Sequence, residues 1–220
     1  MSFRVVFQPF LPPSQSPYRL VEDQDKEVAW ANDFLDIQRL RGLSSYSLRA
    51  YAYDLLNLVR WFETASVDLA TLTHSKLMEY IRFQLDQNPK PEARTINHRI
   101  SVATSLYRFH YGFEIPLQRA AAYTKPPPFD YGRRWRALHK LRIRLPHRIV
   151  VPLTTQEVCQ FWSGFRTFRD LSIVALMLFS GLRSREVLSL QLEDLRFTQG
   201  QILVQGKGSR QRILPLYAAT

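Results

Sequence analysis

Two short segments of the chain carry side chains suited to phosphate chemistry. Arg183 follows the turn residues 180–182 at the predicted start of a helix, and Lys207 lies between two glycines on a predicted tight turn. A guanidinium at a helix start can bind two non-bridging phosphate oxygens, and the helix N-terminus adds positive potential there. An ammonium on a turn can reach the same phosphate and donate a proton to a leaving oxygen. The two residues therefore suit a site that holds a phosphodiester while one of its oxygens departs.

Each of these residues also has a plainer interpretation. Glu186, one helical turn after Arg183, is placed to orient the guanidinium or to brace the turn. The two side chains could equally form a surface ion pair worth about 0–1 kcal/mol. A basic hairpin tip such as that around Lys207 is commonly solvated, or acts as a nonspecific phosphate clamp. Taken singly, neither segment decides between a catalytic site and an ordinary charged surface.

The composition favours a polyanionic partner. The 220 residues carry a net charge of +11 with a pI near 10.1, and their 45% hydrophobic content supports packed cores. Nine basic residues fall between Arg119 and Arg148, where Asp130 is the one acid. We therefore expect the partner to be nucleic acid rather than a membrane, and we expect no small-molecule substrate.

Several classes of protein are excluded by what the sequence lacks. It has no Walker-type glycine-rich loop and no His/Cys pattern with metal-ligand spacing, so we expect neither a cofactor nor a metal. The single cysteine, Cys159, cannot form an intrachain disulfide, and its apolar helical surroundings predict a buried thiol. No apolar run approaches the ~18 residues of a membrane span, and no signal peptide begins the chain. We expect a soluble, cytoplasmic, nucleoid-associated protein.

Hydrophobic periodicity predicts an N-terminal helical domain. Residues 1–22 contain four prolines without sustained periodicity, which predicts a flexible or extended arm. Short connections between the helices that follow predict a compact all-α bundle over residues 23–112. Apolar residues at helical spacing place its four helices at residues 24–41, 44–65, from Thr73 to before Asn88, and 92–111.

A basic, proline-rich linker over residues 113–152 separates this bundle from a second domain over residues 153–220. Thr154 and Glu157 form a capping-box pattern that opens a short helix. An apolar helix over residues 169–180 and another helix over residues 183–192 follow. The apolar period then changes to two on both sides of a basic turn, which predicts a β-hairpin. The predicted fold class is mainly α.

Taken together, the segments around Arg183 and Lys207 resemble those of the tyrosine recombinase (phage integrase) family. That family carries a Thr/Ser-Gly-Leu-Arg-x-x-Glu segment, matched by residues 180–186. It also carries a Gly-Lys-Gly-x-(Lys/Arg)-x-Arg-x-x-Pro-Leu segment, matched by residues 206–216. The helical domain resembles the family's SAM-like core-binding domain through Ser-x-Ser-x-x-x-Tyr-x-x-Asp at residues 45–54 and Arg-Thr-Ile-Asn-x-Arg at residues 94–99. The resemblance covers about residues 24–216.

The resemblance implies a fold and a set of functional residues. The fold would be a SAM-like four-helix core-binding domain, followed by an incomplete α+β catalytic domain that ends in a β-hairpin. Arg183 and Lys207 would stabilise the pentavalent phosphate and aid departure of the 5′ oxygen, with Glu186 in a supporting role. The partner would be double-stranded DNA clamped between the two domains, and a homo-oligomer on DNA is left open. The expected DNA contacts are Ser47, Arg49, Arg94, Thr95, Asn97, Arg99, Arg133, Arg134 and Arg210.

The chain departs from the family's pattern after the hairpin. The resemblance places a His-x-x-Arg segment and a tyrosine nucleophile downstream, whereas four residues follow Leu216. Tyr217 directly follows the last strand and is not assigned the nucleophile's role, and the His-Lys-Leu-Arg letters at residues 139–142 lie in the linker. We therefore expect DNA binding in site-specific recombination, without strand cleavage by this chain alone. A non-enzymatic DNA-binding regulator or architectural protein derived from an integrase is the alternative hypothesis.

A catalytic domain that ends at the hairpin should also leave apolar surface uncovered. We expect the apolar face of residues 171–178 and the inner face of the hairpin to lack covering helices. Each Å² of exposed apolar surface forfeits about 25 cal/mol. The C-terminal part should then be marginally stable alone, whereas residues 24–112 should fold independently.

Overall fold

The chain forms two compact units, Met1–His147 and Arg148–Thr220. The computed structural model describes residues 2–116, 141–146, 149, 151–206, 208 and 210–216. These residues are mainly helical, with two small antiparallel sheets, which confirms the predicted fold class. Within the described part, no helix is both long enough and apolar enough to span a membrane.

The first unit opens with a β-hairpin. Strand β1 (Arg4–Phe7) pairs antiparallel with strand β2 (Tyr18–Val21), so that Arg4 lies opposite Val21 and Phe7 opposite Tyr18. The proline-rich residues between them form the connection. The prediction of a flexible arm over residues 1–22 is therefore wrong for this segment.

The hairpin is ordered because its second strand is buried and clasped by a helix. Leu20 is fully buried. Its N–H donates to Oδ1 of Asn32 at 2.8 Å, and Nδ2 of Asn32 donates back to the Leu20 carbonyl at 3.0 Å. The buried Arg19 guanidinium donates to Glu27 at 2.6 Å and to Asp36 at 2.7 Å. These contacts satisfy the buried polar groups of the strand, as burial requires.

The described residues of the first unit also form four helices, at positions close to the predicted ones. The first begins later than predicted, because residues 23–25 form a separate 3₁₀ turn. Side chains cap the second and third helices: Ser44 accepts a hydrogen bond from the N–H of Ser47, and Thr73 accepts one from the N–H of Lys76, both at 3.3 Å. The helices are α1 (Ala29–Leu40), α2 (Ser45–Ala65), α3 (His74–Leu85) and α4 (Ala93–Tyr111).

The core of the first unit lies around α2, which packs against α1, α3, α4 and the hairpin. The largest fully buried side chains include Phe34, Leu55, Tyr80 and Leu106. The Tyr80 hydroxyl donates to Oδ1 of Asn57 at 2.8 Å, so its polar end is satisfied inside the core. The core is thus shared by helices α1 to α4.

Residues 113–116 and 141–146 of the predicted linker also belong to this unit. Ile115 is buried in its core, and Leu141 and Ile143 pack against the same core. The carbonyl of Pro116 accepts a hydrogen bond from the N–H of His74 at 3.0 Å. The helical unit therefore extends beyond the predicted boundary at residue 112.

In the second unit, the residues that the structure describes form three helices and a three-stranded sheet. The capping box at Thr154 and Glu157 is confirmed, and the antiparallel sheet has the order β3-β4-β5, in which β4 and β5 form the predicted hairpin. The third helix ends before the predicted residue 192. The elements are α5 (Thr155–Ser163), α6 (Phe168–Phe179), α7 (Ser184–Leu188), β3 (Leu195–Arg196), β4 (Gln201–Gln205) and β5 (Gln211–Pro215).

The buried core of the second unit is small. It consists of Leu182 and Val187 packed against Ile202 and Val204 of β4. The hairpin's inner face is therefore covered, contrary to the prediction, because the α7 segment packs on it. The expectation of an uncovered face on the preceding helix is correct only in part, because Leu178 is 58% exposed whereas Ala175 of the same face is buried.

The thiol of Cys159 provides a further correction. It is exposed, so the prediction of a buried thiol is wrong. Helix α5, which carries it, buries none of its residues completely. The apolar periodicity of this helix therefore describes a face that the described residues leave largely open.

Candidate phosphate site and nucleic-acid interface

The backbone between α6 and α7 positions Arg183. Gly181 has φ +62°, a left-handed conformation that glycine adopts without a Cβ clash, and it turns the chain out of α6. The next residue, Leu182, is buried in the core of the unit. Arg183 is then the N-cap of α7, and its side chain is 75% exposed. The chain thus anchors one residue and presents the next one to solvent.

Glu186 joins this turn to the hairpin through a single buried carboxylate. Its Oε2 accepts from the backbone N–H of Arg183 at 2.8 Å, and its Oε1 accepts from the Arg183 guanidinium at 3.0 Å. The same two oxygens accept from the two terminal nitrogens of Arg212, at 2.8 and 2.9 Å. The Glu186 side chain is 6% exposed, so an ordinary surface ion pair does not describe it.

These contacts fix the charge state of the cluster. The bidentate hydrogen bond from Arg212, followed by the backbone N–H of Arg183, lowers the pKa of Glu186 to about 2. Hydrogen bonding to Glu186 in turn raises the pKa of Arg212. At neutral pH the carboxylate is ionised and paired with Arg212, which leaves the exposed Arg183 guanidinium able to bind an anion.

The root of the hairpin turn lies against the same cluster. The N–H of Gly206 donates to the carbonyl of Arg210 at 2.7 Å. A Cβ at Gly206 would lie 3.4 Å from Nη1 of Arg212 and 3.6 Å from Oε1 of Glu186. Arg210 itself is exposed. Lys207 lies outside the described residues, so its assignment as a catalytic residue stays a prediction.

Arg212 is a further candidate site residue, which the sequence motifs alone did not single out. Its side chain is the main partner of Glu186, and it reaches that carboxylate from β5. The signal was present, because Arg212 occupies the final arginine position of the Gly-Lys-Gly segment. The sequence did not reveal which acid it would meet.

The first two turns of α2 and α4 carry six of the predicted DNA contacts. Arg49 is exposed and lies over the ring of Tyr53, with 5.5 Å between the guanidinium carbon and the ring centroid. Arg94 is exposed at the start of α4, and Ser47 and Thr95 are half-buried. Arg133 and Arg134 lie outside the described residues and stay predictions.

Two other predicted contacts are held inside the protein. Nδ2 of Asn97 donates to the carbonyl of Ile143 at 2.9 Å, and its Oδ1 accepts from the N–H of Ile143 at 2.8 Å. The Arg99 guanidinium donates to Gln84 at 3.1 Å and lies 3.6 Å from a carboxylate oxygen of Asp54. The side chains of Asn97 and Arg99 therefore bond within the protein, whereas those of Arg49 and Arg94 are exposed.

No metal is implied by the described residues, among which no group of three His, Cys, Asp or Glu side chains could hold an ion. The cluster of Arg183, Glu186 and Arg212 can bind an anion through the preorganised Arg183 side chain.

Comparison with known families matches both units. The model for the phage integrase N-terminal SAM-like domain matches residues 32–112. The model for the phage integrase family matches residues 152–220. The two matches cover the helical domain and the Glu186 cluster respectively.

Individual relatives support the same grouping. The chain is 24% identical over 197 residues to a tyrosine recombinase XerD from Vibrio vulnificus strain YJ016, covering 87% of this chain and 59% of the relative. It is 27% identical over 179 residues to the XerD of Pasteurella multocida strain Pm70, covering 79% of this chain and 54% of the relative. The chain therefore spans a little over half the length of the relatives it matches.

One solved structure shares the fold. It is the XerH site-specific recombinase bound to palindromic difH substrate, in a post-cleavage complex, with a TM-score of 0.52 and 17% identity over 81% of this chain and 50% of that one. Both family models, the XerD relatives and this fold agree with the motifs around Arg183 and Gly206. The chain belongs to the tyrosine recombinase, or phage integrase, family.

Proposed function

We propose that this chain is the DNA-binding and phosphate-binding part of a tyrosine recombinase that acts in site-specific recombination. The observation that carries the proposal is the buried Glu186 carboxylate, which connects the exposed Arg183 side chain to Arg212 of the hairpin. A guanidinium that is fixed before the phosphate arrives needs no reorganisation when charge develops on the phosphate. Glu186 supplies that fixation.

In the proposed reaction, Arg183 binds the non-bridging oxygens of the scissile phosphate and stabilises its added negative charge. Lys207 donates a proton to the departing 5′ oxygen, a role that follows from the family resemblance. Gly206, directly before Lys207, lies against Glu186 and Arg212. A single carboxylate would therefore set the position of both cations.

The helical unit would bind the duplex with the first turns of α2 and α4. Arg49 and Arg94 are exposed there, and neither forms an ion pair with a described residue. Free guanidinium groups of this kind displace condensed counterions from DNA phosphates, which supplies affinity without sequence preference. Ser47 and Thr95 lie near them in the sequence and can donate hydroxyl hydrogen bonds to phosphate. A DNA partner would also place the chain with the nucleoid in the cytoplasm. Assembly of several copies on DNA stays a prediction.

The 220-residue polypeptide alone would bind without cleaving. Covalent cleavage requires a nucleophile that attacks the phosphorus while the 5′ oxygen leaves. The family resemblance assigns that role to a tyrosine on a late helix, and it assigns no such role to Tyr217. Strand cleavage would therefore require further polypeptide that supplies the tyrosine.

The proposal is tested by mixing the chain with labelled duplex DNA and separating the products before and after denaturation in detergent. We expect a retarded native complex and no detergent-resistant complex. Arg183→Ala and Lys207→Ala should each weaken the native complex several-fold, as loss of one phosphate contact does. Failure to form a complex even at low salt would overturn the proposal. A covalent product would overturn the part that concerns cleavage.

A further inference from the structure

Residues 141–146, here called the pinned segment, are held against α4 by the side chain of Asn97. Both polar atoms of the Asn97 amide bond to the backbone of Ile143, one as donor and one as acceptor, at 2.9 and 2.8 Å. The two residues are 46 positions apart, so this is a tertiary contact and not a local turn. The amide thus makes the two backbone hydrogen bonds that a neighbouring β-strand would otherwise make.

Side chains of the pinned segment alternate between protein and solvent. Leu141 and Ile143 are half-buried and pack against the core of the first unit. Arg142 and Arg144 lie between and after them and are exposed. In extended backbone, successive side chains point to opposite sides, so side chains two residues apart share a side and lie about 6.6 Å apart along the chain. The segment therefore presents two arginines on one side from a fixed backbone.

The same molecule uses this clasp a second time. Asn32 of α1 bonds to both backbone groups of Leu20 at 2.8 and 3.0 Å, and Leu20 lies in a buried, regular strand. An asparagine amide on a helix is thus the device that fixes extended backbone in this unit. Asn97 and Ile143 repeat it on α4.

The charge around the segment suits a polyanion. No carboxylate among the described residues forms an ion pair with Arg142 or Arg144. The exposed Arg94 lies one turn before Asn97 on α4, whose N-terminus adds positive potential. These three guanidinium groups are available for phosphate contacts.

We propose that residues 141–146 form a fixed phosphate-contacting strand of the DNA-binding surface, with Arg142 and Arg144 as the contacts and Asn97 as their positioning residue. The inference rests on the proposed function and changes the predicted role of Asn97. Its amide holds the strand rather than touching a base or a phosphate. The pinned strand also saves binding free energy, because its backbone is ordered before DNA arrives.

A double-mutant cycle tests this division of roles. The proteins are the full chain, Asn97→Ala, Arg142→Gln/Arg144→Gln and the triple variant, each titrated with a duplex of arbitrary sequence at several salt concentrations. Losing two phosphate contacts should lower the slope of log K against log salt by about 2, and affinity roughly five- to tenfold per contact near 0.1 M salt. Asn97→Ala should weaken binding in the wild-type background and cause little further loss in the arginine-depleted background.

Hydrogen exchange supplies a readout that does not depend on DNA. Without DNA, the Ile143 amide should exchange faster in Asn97→Ala, because its acceptor is gone, while the amides of α2 keep their protection. That pattern also shows that the variant is folded. A variant in which α2 loses protection is replaced in the cycle by Asn97→Ser, which shortens the side chain and keeps a polar group.

Several outcomes would overturn the inference. Additive losses in the cycle would mean that Asn97 touches DNA itself, and an unchanged salt slope in Arg142→Gln/Arg144→Gln would mean that these arginines make no contact. Either result leaves the proposed function intact if Arg49→Gln/Arg94→Gln still weakens binding. A wild-type chain that binds no DNA would overturn both.

Discussion

The carboxylate of Glu186 accepts a hydrogen bond from each terminal nitrogen of Arg212, at 2.9 and 2.8 Å, and so ties α7 to β5. The same carboxylate accepts from the backbone and the guanidinium of Arg183. A turn that presents an arginine and a hairpin that carries a lysine are therefore positioned by one acid.

Replacing Glu186 by Gln should loosen the turn and the hairpin together. The neutral amide can accept fewer hydrogen bonds, and its NH₂ group would oppose a donor of Arg212. We expect faster hydrogen exchange at the Arg183 amide and along β4 and β5, with weaker DNA binding. The control is Glu193→Gln, which removes an exposed acid of the same unit. Equal effects of the two substitutions would contradict the assigned role.

Acid should remove the stabilisation that the ionised Glu186 carboxylate gives to the second unit. The pKa of Glu186 is depressed from its ordinary value of 4.5 to about 2, so its stabilising effect is fully present above about pH 4.5 and is lost as pH falls through about 2. The stability difference between wild type and Glu186→Gln should therefore be constant from neutral pH down to about 4.5 and shrink below it. NMR signals of the Ile202 and Val204 amides report this for the second unit. A difference that stays constant from neutral pH down to about 2 would show that the pKa is not depressed.

Gly206→Ala should disturb the cluster from the side of the hairpin. The new Cβ would lie 3.3 Å from the Arg210 carbonyl and 3.4 Å from Nη1 of Arg212, both tight contacts. We expect faster exchange of the Arg183 amide, because Arg212 must shift away from Glu186. Gly208→Ala is the control: its φ of +75° costs about 1 kcal/mol with Ala, but it faces open space. If the control disturbs the Arg183 amide as strongly, crowding at Gly206 is not the cause.

Leu20→Ala should destabilise the first unit by about 2–5 kcal/mol, because it removes a fully buried side chain from the core. Phe10→Ala, in the same hairpin, removes a ring that is 98% exposed and should change the free energy of unfolding by no more than about 0.5 kcal/mol. Urea unfolding followed by circular dichroism compares the two variants. Similar small effects would mean that the hairpin is not part of the cooperative core.

The sequence predicted the elements whose signals are local. Helix α2 has a serine cap and an unbroken apolar stripe, and both its ends were predicted within a residue. The hairpin of the second unit has a glycine-rich turn between alternating strands, and it was also found. In each case the residues that set the element lie within it.

The remaining features depend on contacts between distant residues. Strands β1 and β2 have four residues each and are separated by prolines, so neither shows a strand pattern on its own. Asn32 holds the second strand through hydrogen bonds to Leu20, and no local sequence pattern indicates that contact. The same holds for the partners of Glu186 and Asn97, because sequence spacing cannot show which side chain will fold back to meet another.

The most direct measurement is DNA affinity at several salt concentrations for two variants that lose the same charge in the first unit. Arg49→Gln/Arg94→Gln alters the proposed DNA-binding face, and Lys26→Gln/Arg60→Gln alters exposed residues outside the N-terminal turns of α2 and α4. If the chain binds DNA as a tyrosine recombinase, the first variant should lower both the affinity and the salt slope, by about 2, while the second changes either little. Equal losses in both would contradict a defined DNA-binding face and leave only nonspecific attraction to a basic protein.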